Sequence, residues 1–153
     1  MKKYKQGIYK PIYPKKYNGT TPIIFRSNLE LLFFRWCDRN SNVLEWGSES
    51  IIIPYLKPTD GRVHKYFVDN NLILKDNQGQ IHKYLVEIKP SNQLVQPKQT
   101  NRKKPKTFFN ENLNYVINQS KWNSARQWCN KNGYKFQIIT EKELKSKNWR
   151  QKW

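Results

Sequence analysis

Three side chains of this 153-residue chain have the types and spacing to share one reaction: Asp69, Glu87 and Lys89. Residues 63–75 and 81–89 are rich in Val, Ile, Leu, Tyr and Phe, and Asp76-Asn77-Gln78-Gly79-Gln80 separates them, which predicts a β-hairpin with a five-residue loop. If Lys75 pairs with Ile81, Asp69 falls opposite Glu87, and directly opposed side chains on one face are roughly 5 Å apart. Two carboxylates so placed repel each other. A divalent cation between them reverses the sign, and paired hard oxygen donors suit Mg²⁺ or Mn²⁺. Strand side chains alternate, so Glu87 and Lys89 share a face while Ile88 points into the core. The ammonium can then orient or help deprotonate a water, or stabilise charge building on a phosphate. A metal there lowers the pKa of its water and polarises a phosphoryl oxygen.

The elements that must position these groups can be read along the chain. Residues 1–20 hold six Lys and no acid and read as a basic arm, extended or loosely packed. A helix is predicted over residues 27–39. Ser27 is its N-cap, Glu30 completes an S-x-x-E capping box, and Leu29, Leu32, Phe33 and Trp36 form its buried face. Strands are predicted at 43–46 and 50–55, the second stopped by Pro54 or Pro58, ahead of the hairpin. Residues 90–110 read as a Pro-rich basic loop. A second helix follows over 112–130, with Leu113, Val116, Ile117, Trp122, Ala125, Trp128 and Cys129 facing the core and Gly133 as C-cap. A strand at 135–140, a short helix at 141–147 and a basic aromatic tail at 147–153 complete the order. Strands and helices are interspersed, so the class is α/β: a mixed sheet with helices on its faces, spanning 21–146.

The charge is uneven. Lys and Arg number 29 against 11 Asp and Glu, for a formal +18. Eight of the acids lie between residues 30 and 87, where seven Lys and Arg nearly balance them, while the flanks hold 22 cations to three acids. Such flanks point to a polyanionic partner, with nucleic acid ahead of an anionic membrane surface. No apolar run approaches the roughly 20 residues of a membrane span, and the N-terminus has no apolar signal core. Cys37 and Cys129 lack any CxxC spacing. That argues against zinc and for a reducing compartment, with a structural disulfide unsupported.

An acid on one strand followed by E-x-K on the next resembles the PD-(D/E)xK nuclease superfamily, with Asp69, Glu87 and Lys89 as the matching residues. Ser27-x-x-Glu30 resembles the helix that gives many such sites another acid, so Glu30 is carried over as a metal-site or water-orienting group; its plainer reading is a capping box. Further blocks are Gly7-Ile8-Tyr9-Lys10-Pro11, Phe25-Arg26-Ser27, Trp46-Gly47-Ser48-Glu49-Ser50, Ile53-Pro54-Tyr55, Asp60-Gly61-Arg62-Val63-His64, Val86-Glu87-Ile88-Lys89-Pro90 and Ile139-Thr140-Glu141-Lys142. Together they resemble the head completion nucleases of T-even-type tailed phages over residues 7–145. The S-x-x-E, D, E-x-K order is similar, more distantly, to the endonuclease subunit of Tn7-like transposases. The resemblance implies a restriction-endonuclease-like core and Mg²⁺- or Mn²⁺-dependent cleavage of double-stranded DNA before head–tail joining. It implies phage head or connector proteins as partners, no small-molecule cofactor, and action in the host cytoplasm during assembly or in the virion head. A catalytically inactive DNA-binding head or connector protein, and a transposase- or recombination-type endonuclease, are the alternatives. Val68 stands where the superfamily has Pro, and Asn70 where an apolar residue is usual.

Glu49 is a further candidate metal ligand, against the simpler reading of a strand-end acid. His64 and His82 read as ordinary hairpin histidines. Arg102, Lys103, Lys104 and Lys106 follow directly on the E-x-K strand and are assigned to phosphate contact, with Lys121 of the second helix pointing to the same groove. Trp36, Trp122 and Trp128 read as core, while Trp149 and Trp153 suit stacking on bases or docking on a partner protein.

Overall fold

The computed structural model describes residues 6–146. The elements are β1 (Gly7–Tyr9), β2 (Ile23–Phe25), α1 (Asn28–Arg39), β3 (Val43–Ser48), β4 (Ile52–Lys57), β5 (Arg62–Phe67), β6 (Asn70–Lys75), β7 (Ile81–Ile88), α2 (Pro105–Asn132), β8 (Lys135–Ile139) and α3 (Glu141–Leu144). Four strands form the central sheet in the order β3-β6-β7-β8. The first two pairings are antiparallel and β7–β8 is parallel. A parallel pair needs a crossover, and α2 supplies it. This is the mixed sheet flanked by helices that the pattern of elements predicts.

The two faces of the sheet bury separate cores. Phe33, Phe34, Trp36 and Cys37 of α1 pack with Trp46, Leu72, Leu74, Val86 and Ile88 on one side. On the other, Trp122, Ala125 and Cys129 of α2 pack with Leu85, Val68, Ile53, Tyr55 and Tyr66. The alternation along β7 is therefore explicit: Leu85 faces α2, Val86 and Ile88 face α1, and Glu87 returns to the α2 side.

Local signals explain most boundaries. Ser27 Oγ accepts the Glu30 amide and caps α1, and Gly133 ends α2 in the left-handed region at φ 73°. Leu32 and Val116, expected on buried faces, are exposed at 38% and 42%. In α1, Phe34 and Cys37 take the place of Leu32, so the buried stripe runs one residue further round the helix.

Four further expectations are corrected by packing. The N-terminal segment is not loose from residue 7 onward. β1 pairs with β2, and buried Asp38 accepts hydrogen bonds from Tyr9 Oη and the Ile12 and Tyr13 amides at 2.7–2.9 Å. Lys16 Nζ caps the end of α1, donating to the carbonyls of Cys37, Asp38 and Asn40 at 2.7–3.0 Å. Pro54 does not stop β4, because β4 pairs only with β5 and its other edge needs no donor at that position. Residues 63–75 are not one strand: β5 leaves the central sheet to pair with β4, and the chain pivots at Val68-Asp69. Finally, α2 begins at Pro105, seven residues before the expected start. Proline suits a first helical position, where its missing N–H costs no bond, so Lys106 lies in the helix and Lys104 at its N-cap. Residues 147–153, including the predicted aromatic tail, lie outside the described residues.

Candidate active site

The β6–β7 register pairs Lys75 with Ile81 and continues without slip to Asn70 and Val86. One step further places Asp69 at the level of Glu87, as the sequence predicts. Asp69 lies just beyond the last β6 pair, and its carboxylate reaches across the ladder: Oδ2 accepts the Ile88 amide at 2.8 Å. This bond fixes Asp69 between Glu87 and Lys89. Its main chain is held as well, its carbonyl accepting the Glu49 amide at 3.1 Å.

Glu87 is 3% exposed. Tyr66 Oη donates to its Oε2, and Lys89 Nζ stands 3.5 Å from its Oε1. Lys121 reaches the same place from α2, its ammonium 5.6 Å above the Tyr55 ring and 5.5 Å above that of Tyr66. Burial lowers the proton affinity of Lys121, while the charges of Glu87 and Asp69 act in the opposite direction. Burial, and then the Glu87 charge, pushes Asp69 well above the usual carboxylate range; the Ile88 amide and Lys89 oppose that shift. The Tyr66 hydroxyl is likewise raised, by burial first and Glu87 second, so it remains a donor.

Two desolvated carboxylates that repel each other form a set of hard oxygen donors, and that chemistry fits a divalent ion held by Asp69 and Glu87. Glu30 and Glu49 stand further out. Burial raises Glu30, whose charge is felt by Asp69. Its carboxylate accepts the Arg26 amide, so it closes the turn before α1 one residue earlier than an ordinary capping box. Glu49 is ion-paired with the Arg26 guanidinium and adopts φ 54°, a left-handed conformation rare outside glycine. Among the described residues, no three His, Cys, Asp or Glu side chains converge closely enough to hold one ion. Arg26 ties Glu30 and Glu49 together, its amide donating to the first and its guanidinium pairing with the second.

The remaining candidates divide. Arg102, Lys104 and Lys106 are exposed around the start of α2, whose first turn carries no acid. Lys103 is turned inward, bonded to Glu111 Oε2 at 2.7 Å and to the Lys98 carbonyl at 2.8 Å. His64 and His82 each bond a loop aspartate, Asp60 at 2.7 Å and Asp76 at 2.8 Å, as hairpin histidines should. Cys37 and Cys129 are both free and buried. Tyr66 and Arg26 are the groups that sequence reasoning missed. Tyr66 sits on a strand that has left the sheet, so no alternation from Asp69 could have found it.

Two comparisons bear on these residues. The family described as TnsA-like endonuclease N terminal matches residues 40–141, from the end of α1 to the start of α3. The head completion nuclease of Enterobacteria phage T4 is 35% identical over 144 residues, covering 92% of this chain and 93% of that protein. The aligned span thus includes both carboxylate-bearing strands and nearly everything that supports them, and the chain belongs to the head completion nuclease family, built on a TnsA-like endonuclease domain.

Proposed function

We propose that this protein is a divalent-metal-dependent DNA nuclease that acts in phage head completion, with Asp69, Glu87 and Lys89 as its catalytic residues. The observation that carries the reading is the meeting of Asp69 and Glu87 at one level of the β6–β7 ladder, with Lys89 and Lys121 beside them. Asp69 and Glu87 would hold Mg²⁺ or Mn²⁺, and a bound ion there supplies an activated water and neutralises charge on the scissile phosphate. Tyr66 fixes the rotamer of Glu87, and the Ile88 amide fixes Asp69. Lys89 and Lys121 present ammonium groups to the extra negative charge of the transition state, in surroundings where water screens it poorly. Glu30 orients water at the rim of the site, and Arg26 keeps Glu49 in reserve as an outer acid. Arg102, Lys104 and Lys106 bind the phosphate backbone, helped by the exposed amides at the start of α2.

Head or connector proteins are the proposed partners, during assembly in the host cytoplasm. The test is cleavage of plasmid and linear DNA with Mg²⁺, Mn²⁺ or EDTA. Cutting should require the metal and should vanish in Asp69→Ala and Glu87→Ala. Cutting that survives EDTA or either substitution refutes the assignment.

A further inference from the structure

A cavity of about 720 Å³ opens beside the carboxylate site, between the loop following β7 and the flank of α2. Lys89 and Lys121, the two ammonium groups of the site, form part of its wall. Whatever occupies the cavity is therefore continuous with the phosphate being cut.

Its lining differs from that of the DNA-facing surface around Lys104. Asn92, Gln93 and Gln96 come from the loop, and Asn114 and Asn118 from successive turns of α2. None of these five carboxamides has a side-chain hydrogen bond within the protein among the described residues. Tyr115 adds an aromatic ring, and Val95, Pro97 and Ile117 add apolar surface. Lys98 and Lys103, with Glu111, complete a wall that already holds Lys89 and Lys121, so a phosphate is accommodated, but a site for phosphate alone has no use for uncommitted carboxamides and an aromatic ring. Carboxamides beside an aromatic ring match a nucleobase, whose edges both donate and accept and whose faces stack.

The cavity is also preformed. Ser91 N donates to Glu141 Oε2 at 2.8 Å and anchors the start of the loop. Lys103 Nζ, bonded to Glu111 and to the Lys98 carbonyl, anchors its end. Its size falls within the roughly 300–1,000 Å³ of small-ligand sites, enough for one or two nucleotides and far too little for a turn of duplex.

Building on the nuclease reading, we propose that this cavity receives an unpaired nucleotide of the strand being cut, so that the preferred substrate carries single-stranded DNA at the scissile position. A base leaving the stack costs least where it is already unpaired, which selects overhangs, flaps and single strands over intact duplex.

Backbone contact alone favours the duplex, whose charge density is higher. A preference for single strands is therefore diagnostic. Fluorescence anisotropy in EDTA, with one labelled oligonucleotide used single-stranded and as blunt duplex, should show the single strand bound about 10-fold more tightly. The double variant Asn114→Leu/Asn118→Leu should bring the ratio close to one. Gln93→Ala/Gln96→Ala, on the exposed loop where no packing is at stake, should also reduce it. Equal or weaker binding of the single strand overturns the proposal, as does an equal loss on both forms in both variants. Cleavage assays on the same two substrates with Mg²⁺ separate the failures. Asp69-dependent cutting without single-strand preference removes the cavity's role and leaves the nuclease, whereas no cutting of any DNA removes both.

Discussion

Replacing Asp69 with Asn should make the metal-free protein more stable while abolishing its activity. At roughly 5 Å separation and an effective dielectric near 20, two carboxylates repel by about 3 kcal/mol. Lys89, 3.5 Å from Glu87, offsets part of this. The Ile88 amide now binds a charged acceptor, and the neutral amide oxygen of Asn would accept it about 1 kcal/mol less favourably. The net gain is about 1–2 kcal/mol, or roughly 2–8 °C in Tm for a chain of this size. The gain must depend on pH with a defined sign. Because the proton affinity of Asp69 is raised, the native state holds that proton more tightly than the unfolded chain does. Wild-type stability therefore falls as pH rises from the ordinary aspartate value near 4 through the raised native value. Asn carries no such penalty, so the Tm difference should be small at about pH 4 and widen towards neutrality. Thermal unfolding in EDTA across that range is the assay. Mn²⁺ should reverse the order by stabilising wild type, by about 2.7 kcal/mol at 100-fold excess over Kd, and leave the Asn variant unmoved. An Asn variant less stable than wild type at neutral pH, or a gap that does not change with pH, would refute the electrostatic reasoning.

Lys89→Ala should lower kcat by about 100- to 10,000-fold with little change in DNA affinity, because its charge is needed where the transition state builds negative charge; single-turnover kinetics and a binding isotherm separate the two. Asp38→Ala leaves the Tyr9 hydroxyl and the Ile12 and Tyr13 amides without their acceptor, and should cost about 3–5 kcal/mol. Denaturant unfolding reads the loss, and hydrogen exchange should show it concentrated in residues 7–17. The triple variant Arg102→Ala/Lys104→Ala/Lys106→Ala should weaken binding to all sequences alike and make the slope of log K against log salt shallower by about 3. A slope unchanged from wild type would move the phosphate track elsewhere.

What the sequence discloses of this site and what it hides have one physical origin. The hairpin is legible because its register follows from a local loop and period-2 burial, and both are written in consecutive residues. Once Lys75 faces Ile81, the alignment of Asp69 with Glu87 follows by counting. Capping is legible for the same reason, with Ser27 and Gly133 acting on their own helices. The docking of the arm is not legible because its anchor, Asp38, lies more than twenty residues further along the chain, within α1. The break at Val68-Asp69 was hidden too, since residues 63–75 are uniformly β-prone and only pairing with β4 draws β5 away from the sheet. That departure is what allows Tyr66 to face Glu87 from outside the ladder and sets Lys121 over the Tyr55 and Tyr66 rings. The two acids of the proposed metal site are thus local features of a hairpin. The groups that hold and neutralise them come from a displaced ribbon and a distant helix, which no period within the hairpin encodes. The same division applies to the carboxamide cavity. Its halves are a loop that reads as Pro-rich and basic and a helix face whose Ile117 reads as core, and they meet beside Lys89 only because α2 starts at Pro105.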